Sequence, residues 1–139
     1  MTTASPFRLD ERRLLQLAVS VAAVVPVSAG VAGVLGGPAL FGHDAGGAAF
    51  DGHFRYLSGL LLGIGLAFWS FVPRITSVTP QVRVLTLLVL IGGLGRLLGL
   101  ALNRDPSTGM LFALVMELGL TPALCAWQAR VARKERTIT

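Results

Sequence analysis

Two ionisable side chains stand deep inside apolar stretches of this chain: Arg96, within VLIGGLGRLLGL (89–100), and Glu117, within the run 110–127. A lone guanidinium or carboxylate at the middle of a hydrocarbon layer costs about 3 kcal/mol on insertion scales, so neither is expected to face lipid unpaired. The chemistry open to them is ion pairing, binding of a charged ligand or, for Glu117, carriage of a proton. Arg96 lies seven residues before Asn103, about 10 Å from the end of its run. Glu117 lies eight residues after Gly109 and eleven after Pro106, about 12 to 16 Å into the next. These depths differ by at most about one helical turn, within reach of an arginine side chain. An Arg96–Glu117 ion pair buried between neighbouring helices is therefore predicted.

A second polar group opens the run 54–72. In DGHFRYLSG, Asp51 and Arg55 stand at the four-residue spacing of a helical salt bridge, and Arg55 shares a face with Ser58, Gly59 and Leu62. His53 is about 200° round the helix from Arg55, so the two point apart unless the helix starts later. Asp51, His53, Arg55, Asn103 and Asp105 are expected to ring a mouth above the Arg96–Glu117 pair, with His43 and Asp44 as further candidates. The plainer reading is that the Arg–Glu pair only fixes helix register and that His53 is an interfacial histidine. His43, Asp44, Asp51 and His53 have the residue types of a metal site but no recognised ligand spacing, so no metal is expected. The chain carries no nucleophile elbow, phosphate-binding loop, dinucleotide fingerprint or zinc-peptidase signature. No catalytic residue and no cofactor is assigned.

The elements that must position these residues follow from hydropathy. Of 139 residues 53% are apolar and only 14% charged, with a mean hydropathy of +0.71, whereas soluble domains carry about 25% charged residues. So short a chain cannot hide that much apolar surface in a water-soluble core. Four runs, at 14–35, 54–72, 82–102 and 110–127, are each long enough to cross a hydrocarbon layer of about 30 Å. Lipid offers backbone amides no partners, so such runs must be helical. The expected fold is all-α, a four-transmembrane-helix bundle in a single membrane domain, with a longer loop at 36–53. Asp51, Thr79-Pro80 and Asp105-Pro106 are the expected helix starts. Arg12-Arg13 before an apolar stretch, with Val27-Ser28-Ala29, resembles a cleavable signal, but the run continues to Leu35 and is expected to remain as a span.

Orientation is read from the basic residues. Four spans put Arg8, Arg12, Arg13, Arg74, Arg83, Arg130, Arg133, Lys134 and Arg136 on one side and only Arg55 and Arg104 on the other. Both termini are therefore expected in the cytoplasm, with the loop 36–53 outward. Trp69 and Trp127 suit an aromatic belt at the cytoplasmic interface. The cations form no basic stripe with interleaved aromatics, which argues against a nucleic-acid partner. The single cysteine, Cys125, has no intrachain partner for a disulfide. Glycines recur at four-residue spacing, Gly33 and Gly37, Gly59 and Gly63, Gly95 and Gly99. Such pairs let helices approach closely, within the bundle or between chains. Pro26 and Pro122 each remove a backbone hydrogen bond inside a span and are candidate kinks.

These residues resemble a family of bacterial four-helix membrane proteins grouped as domain of unknown function 4345. The likeness runs from Leu14 to Val131 and is carried by Gly36-Gly37-Pro38, His53-Phe54-Arg55-Tyr56-Leu57-Ser58-Gly59, Gly92-Gly93-Leu94-Gly95-Arg96, and Glu117-Leu118 with Pro122. It implies four spans and groups Arg55, Arg96 and Glu117 as one constellation, but it implies no reaction or ligand. Similarity to the DoxX-like membrane proteins is looser, in size and topology alone. The reading that follows is a non-enzymatic multi-pass protein of a bacterial inner membrane, surrounded by lipid, whose Arg/Glu pocket binds a small or lipid-like anionic ligand. The alternatives are a structural subunit that docks on a membrane-protein partner or a second copy through its glycine faces, and, less favoured, a proton-coupled transporter.

Overall fold

Each apolar run becomes one long helix in the computed structural model, which describes residues 6–43 and 46–137. The helices are α1 (Pro6–Gly36), α2 (Ala48–Phe71), α3 (Thr79–Asn103) and α4 (Thr108–Arg136). Each holds a segment long and apolar enough to cross a membrane, and no strand occurs among the described residues. The helices outrun the apolar stretches that seeded them. Once a turn is nucleated, polar residues such as those at 128–136 propagate it at little cost.

The helix starts differ from those expected. Gly46 and Gly47 adopt positive φ and release the chain into α2 at Ala48, so Asp51 lies within the first turn instead of capping it. Its carboxylate still faces the positive end of the helix dipole. Val78 occupies the cap position of α3, with Pro80 in the first turn. The cap of α4 is Ser107, whose hydroxyl accepts from the Met110 amide at 3.2 Å, so Asp105 and Pro106 stay in the connection. The loop after α1 is correspondingly short and includes a 3-10 turn at Pro38–Phe41. Phe54 packs on Phe41 and Phe50, with ring centroids 5.6 and 6.4 Å apart.

The described residues divide into two compact units, one within 17–73 and the other of 6–16 with 74–137. In the first, α1 and α2 run antiparallel in a constant register. The Trp69 indole donates to the Ser20 carbonyl at 2.9 Å. Farther along, a methyl at Gly65 would fall 2.6 Å from Val27, and one at Gly30 would fall 2.7 Å from the Leu62 backbone nitrogen. A methyl at Gly33 would strike Ser58, whose hydroxyl donates instead to the Phe54 carbonyl at 2.8 Å. Gly30, Gly33 and Gly65 therefore set the spacing of this helix pair.

In the second unit α3 and α4 form a hairpin through the short connection after Asn103, as the Arg96–Glu117 pairing requires of neighbouring helices. Gln128, fully buried, ties them near the opposite end by donating to the Ile75 carbonyl at 2.6 Å and the Thr79 hydroxyl at 2.9 Å. Around it Leu15, Ile75, Val78, Val82, Val131 and Ala132 are all buried. The first turns of α1 join this end through Glu11, whose carboxylate oxygens accept from Lys134 Nζ at 2.8 and 3.1 Å.

Candidate functional site

Arg96 and Glu117 do pair. Arg96 donates from Nε and Nη2 to the two carboxylate oxygens of Glu117, each at 3.0 Å. This is the two-pronged geometry that a planar guanidinium makes with a carboxylate. The pair is not buried, however: the side chain of Arg96 is 38% exposed and that of Glu117 15%. The expected enclosed Arg/Glu pocket is not seen. Depth along a helix told which residues could meet, whereas burial depends on which way round the helices the meeting point faces.

The backbone of α4 contributes to that placement. It is α-helical over Thr108–Leu114, π-helical over Val115–Leu120, and α-helical again over Thr121–Arg136. Pro122 explains the change. It supplies no amide to the carbonyls a turn before it, and its ring crowds the preceding turn. The helix widens instead, and the Thr121 amide reaches back five residues to the Met116 carbonyl, which also receives the Thr121 hydroxyl at 2.8 Å. Thus Pro122 produces a π stretch, and Glu117 sits inside it. Such stretches are rare and are frequent at functional positions.

Close approach of α3 to α4 falls on Gly93. A methyl there would lie 2.7 Å from Leu118 and 3.0 Å from the Glu117 Cβ. Gly95 and Gly99, expected from their spacing to permit close approach within the bundle or between chains, would bring a Cβ within 4 Å of nothing among the described residues, as would Gly92. The four-residue rule put Gly95 and Gly99 on one face correctly, but that face is open. In the other unit Gly33 and Gly37 make close approaches, Gly59 would touch only Val34 at 3.9 Å, and Gly63 would touch nothing.

Arg55 belongs to a different device. Its Nε and Nη2 donate to Asp51 at 2.8 and 3.2 Å, and its Nη1 donates to the carbonyls of Val34 at 2.6 Å and Leu35 at 3.1 Å. Those carbonyls belong to the last turn of α1, where no intrahelical amide remains to receive them. Arg55 is thus a cap for the end of α1, held in place by Asp51. Gly37 fits beneath it at φ 63°, ψ −167°, a conformation essentially confined to glycine. A side chain there would also fall 2.6 Å from Arg55 and 2.8 Å from Asp51. The spacing of Asp51 and Arg55 was readable in sequence, but the carbonyls they serve lie about twenty residues away.

The remaining members of the expected ring have other surroundings. His53 is exposed, as the 200° offset required once α2 begins at Ala48. The Asn103 amide donates back to the Gly99 carbonyl at 2.9 Å. Asp105 is exposed in the α3–α4 connection, and His43 is exposed after the 3-10 turn. Asp44 lies outside the described residues. Among those residues, no three His, Cys, Asp or Glu side chains stand together as a metal site. Sequence reading missed Gln128. Its one signal was an amide next to the end of an otherwise apolar run.

Both arginines are therefore matched by their own carboxylates, in an all-α chain of four helices that are long and apolar enough to cross a membrane. The chain belongs to the family described as domain of unknown function (DUF4345), whose model matches residues 14–128. No curated protein and no solved structure matches it.

Proposed function

We propose that this protein is a non-catalytic, multi-pass component of a bacterial inner membrane, with both termini cytoplasmic, whose α3–α4 face docks on another membrane-spanning chain. The observation that carries this is the half-open state of Arg96. Its Nε and Nη2 are engaged by Glu117, while Nη1 has no partner among the described residues. In hydrocarbon an unmatched N–H has no solvent to turn to, so a polar acceptor from another chain is the economical complement. Gly92, Gly95 and Gly99 lie within about 100° of Arg96 round α3, all on the flank away from Gly93. None of them touches anything that would oppose a close approach. The nine basic residues grouped on one side of four spans support the orientation.

The pocket reading is second. The same exposed guanidinium favours it, but an anionic ligand gains little where Arg55 and Arg96 each already hold a carboxylate. A carrier using Glu117 as its titrating group would first have to release both oxygens from Arg96.

Size on gentle extraction at native expression tests the docking reading. The wild-type chain is expected in an assembly larger than the monomer, and Gly95→Leu with Gly99→Leu is expected to release it as a folded monomer. A wild-type chain that migrates alone would defeat the proposal. A folded Arg96→Leu/Glu117→Leu protein that keeps its assembly would show that the ion pair is no part of the interface.

A further inference from the structure

Independently of the docking face, we infer that the end of the molecule formed by the last turns of α4, the start of α3 and the first turns of α1 is a binding surface for anionic phospholipid headgroups. Arg13, Arg74, Arg83, Arg130, Arg133, Lys134 and Arg136 are all exposed there, in one compact unit. The Lys134–Glu11 ion pair and the Gln128 bonds to Ile75 and Thr79 hold the three elements together at this end.

The last turns of α4 are divided by charge. Gln128, Val131 and Ala132 are buried, and Glu135 is half-buried on that same side. Arg130 and Arg133 lie on the opposite side, and Lys134 and Arg136 are exposed on its two flanks. Both carboxylate oxygens of Glu11 are committed to Lys134. Arg13, Arg74, Arg83, Arg133 and Arg136 make no side-chain hydrogen bond or ion pair among the described residues. A helical pair inside the molecule would have used some of these charges, so they are left to an external anion.

Geometry selects the leaflet as that anion. The apolar run of α4 ends at Trp127, and the nine residues from Gln128 to Arg136 extend the helix by about 13 Å. That carries the cationic side through a headgroup layer of roughly 5 to 7 Å, with Trp127 at the hydrocarbon boundary. Juxtamembrane clusters of this size recognise anionic lipids by charge, with a strong dependence on salt.

The test uses the full chain reconstituted in bilayers with spin-labelled phosphatidylglycerol or phosphatidylcholine as the probe, reading the relative association of each lipid with the protein. Phosphatidylglycerol is expected to be preferred by roughly threefold or more at low ionic strength. That preference should be lost near 0.5 M salt, where the Debye length falls to about 4 Å. Arg130→Gln with Arg133→Gln and Arg136→Gln is expected to bring the ratio toward one, while lysine at the same three positions preserves it. A ratio of one for the wild-type chain at low salt would overturn the inference and point to an acidic protein partner instead. A preference unchanged in the glutamine variant would overturn it as well.

Discussion

At Gly37 one residue satisfies three demands: a backbone conformation denied to other residues, the end of α1, and contact with a guanidinium and its carboxylate. Gly42 shares only the positive φ: at φ 75°, ψ 16° it is in the left-handed helical region that other residues enter at modest cost, and a methyl there would meet nothing within 4 Å. Gly42→Ala should therefore cost about 1 kcal/mol, the strain of a left-handed residue alone. Gly37→Ala should cost about 2 to 4 kcal/mol, because its backbone region is closed to other residues and the side chain also displaces the Arg55 clamp. Unfolding midpoints of the two variants in one detergent measure the difference. Equal losses would mean that Arg55 moves aside freely and caps nothing of consequence. The Asp51–Arg55 spacing was legible as a salt bridge, but its service to the Val34 and Leu35 carbonyls was not, because no local pattern encodes a contact with another helix.

Among the elements, α3 separates what spacing can and cannot disclose. Periodicity identifies glycines that share a face, but it does not say which face meets a neighbour. Gly93 lies opposite Leu118 and Glu117, whereas Gly95 and Gly99 lie on open surface. Gly93→Leu should therefore destabilise the α3–α4 hairpin by about 1 to 3 kcal/mol through overpacking, and Gly95→Leu should leave it within about 0.5 kcal/mol. Thermal or denaturant unfolding of the extracted chain separates the two, and a larger loss at Gly95 would reverse the assignment. The apolar runs made all four helices readable, and depth made the Arg96–Glu117 contact readable. Their ends were less so, because positive-φ glycines at 46 and 47 and the Ser107 cap decide them by backbone geometry. The π stretch was signalled only by Pro122, for which a kink was an equally good expectation.

At the scale of the molecule, two polar regions of the unit that holds α3 and α4 have different work to do. At one end Gln128 is buried and donates to Ile75 and Thr79, and the outer side is cationic. Toward the α3–α4 connection, the hairpin instead leaves an ion pair and three glycines uncovered. In a membrane, the first suits anchorage at a charged surface and the second suits docking on another chain. Docking through the α3–α4 face is read out by photo-cross-linking in intact membranes. A photoreactive residue in place of Leu88, which is exposed on the flank of Gly92, Gly95 and Gly99, should give an adduct with a second membrane-spanning chain. The same residue in place of Leu87 or Leu94, exposed about 100° or more farther round α3, should give lipid adducts only. Lipid adducts alone at all three positions would contradict the account.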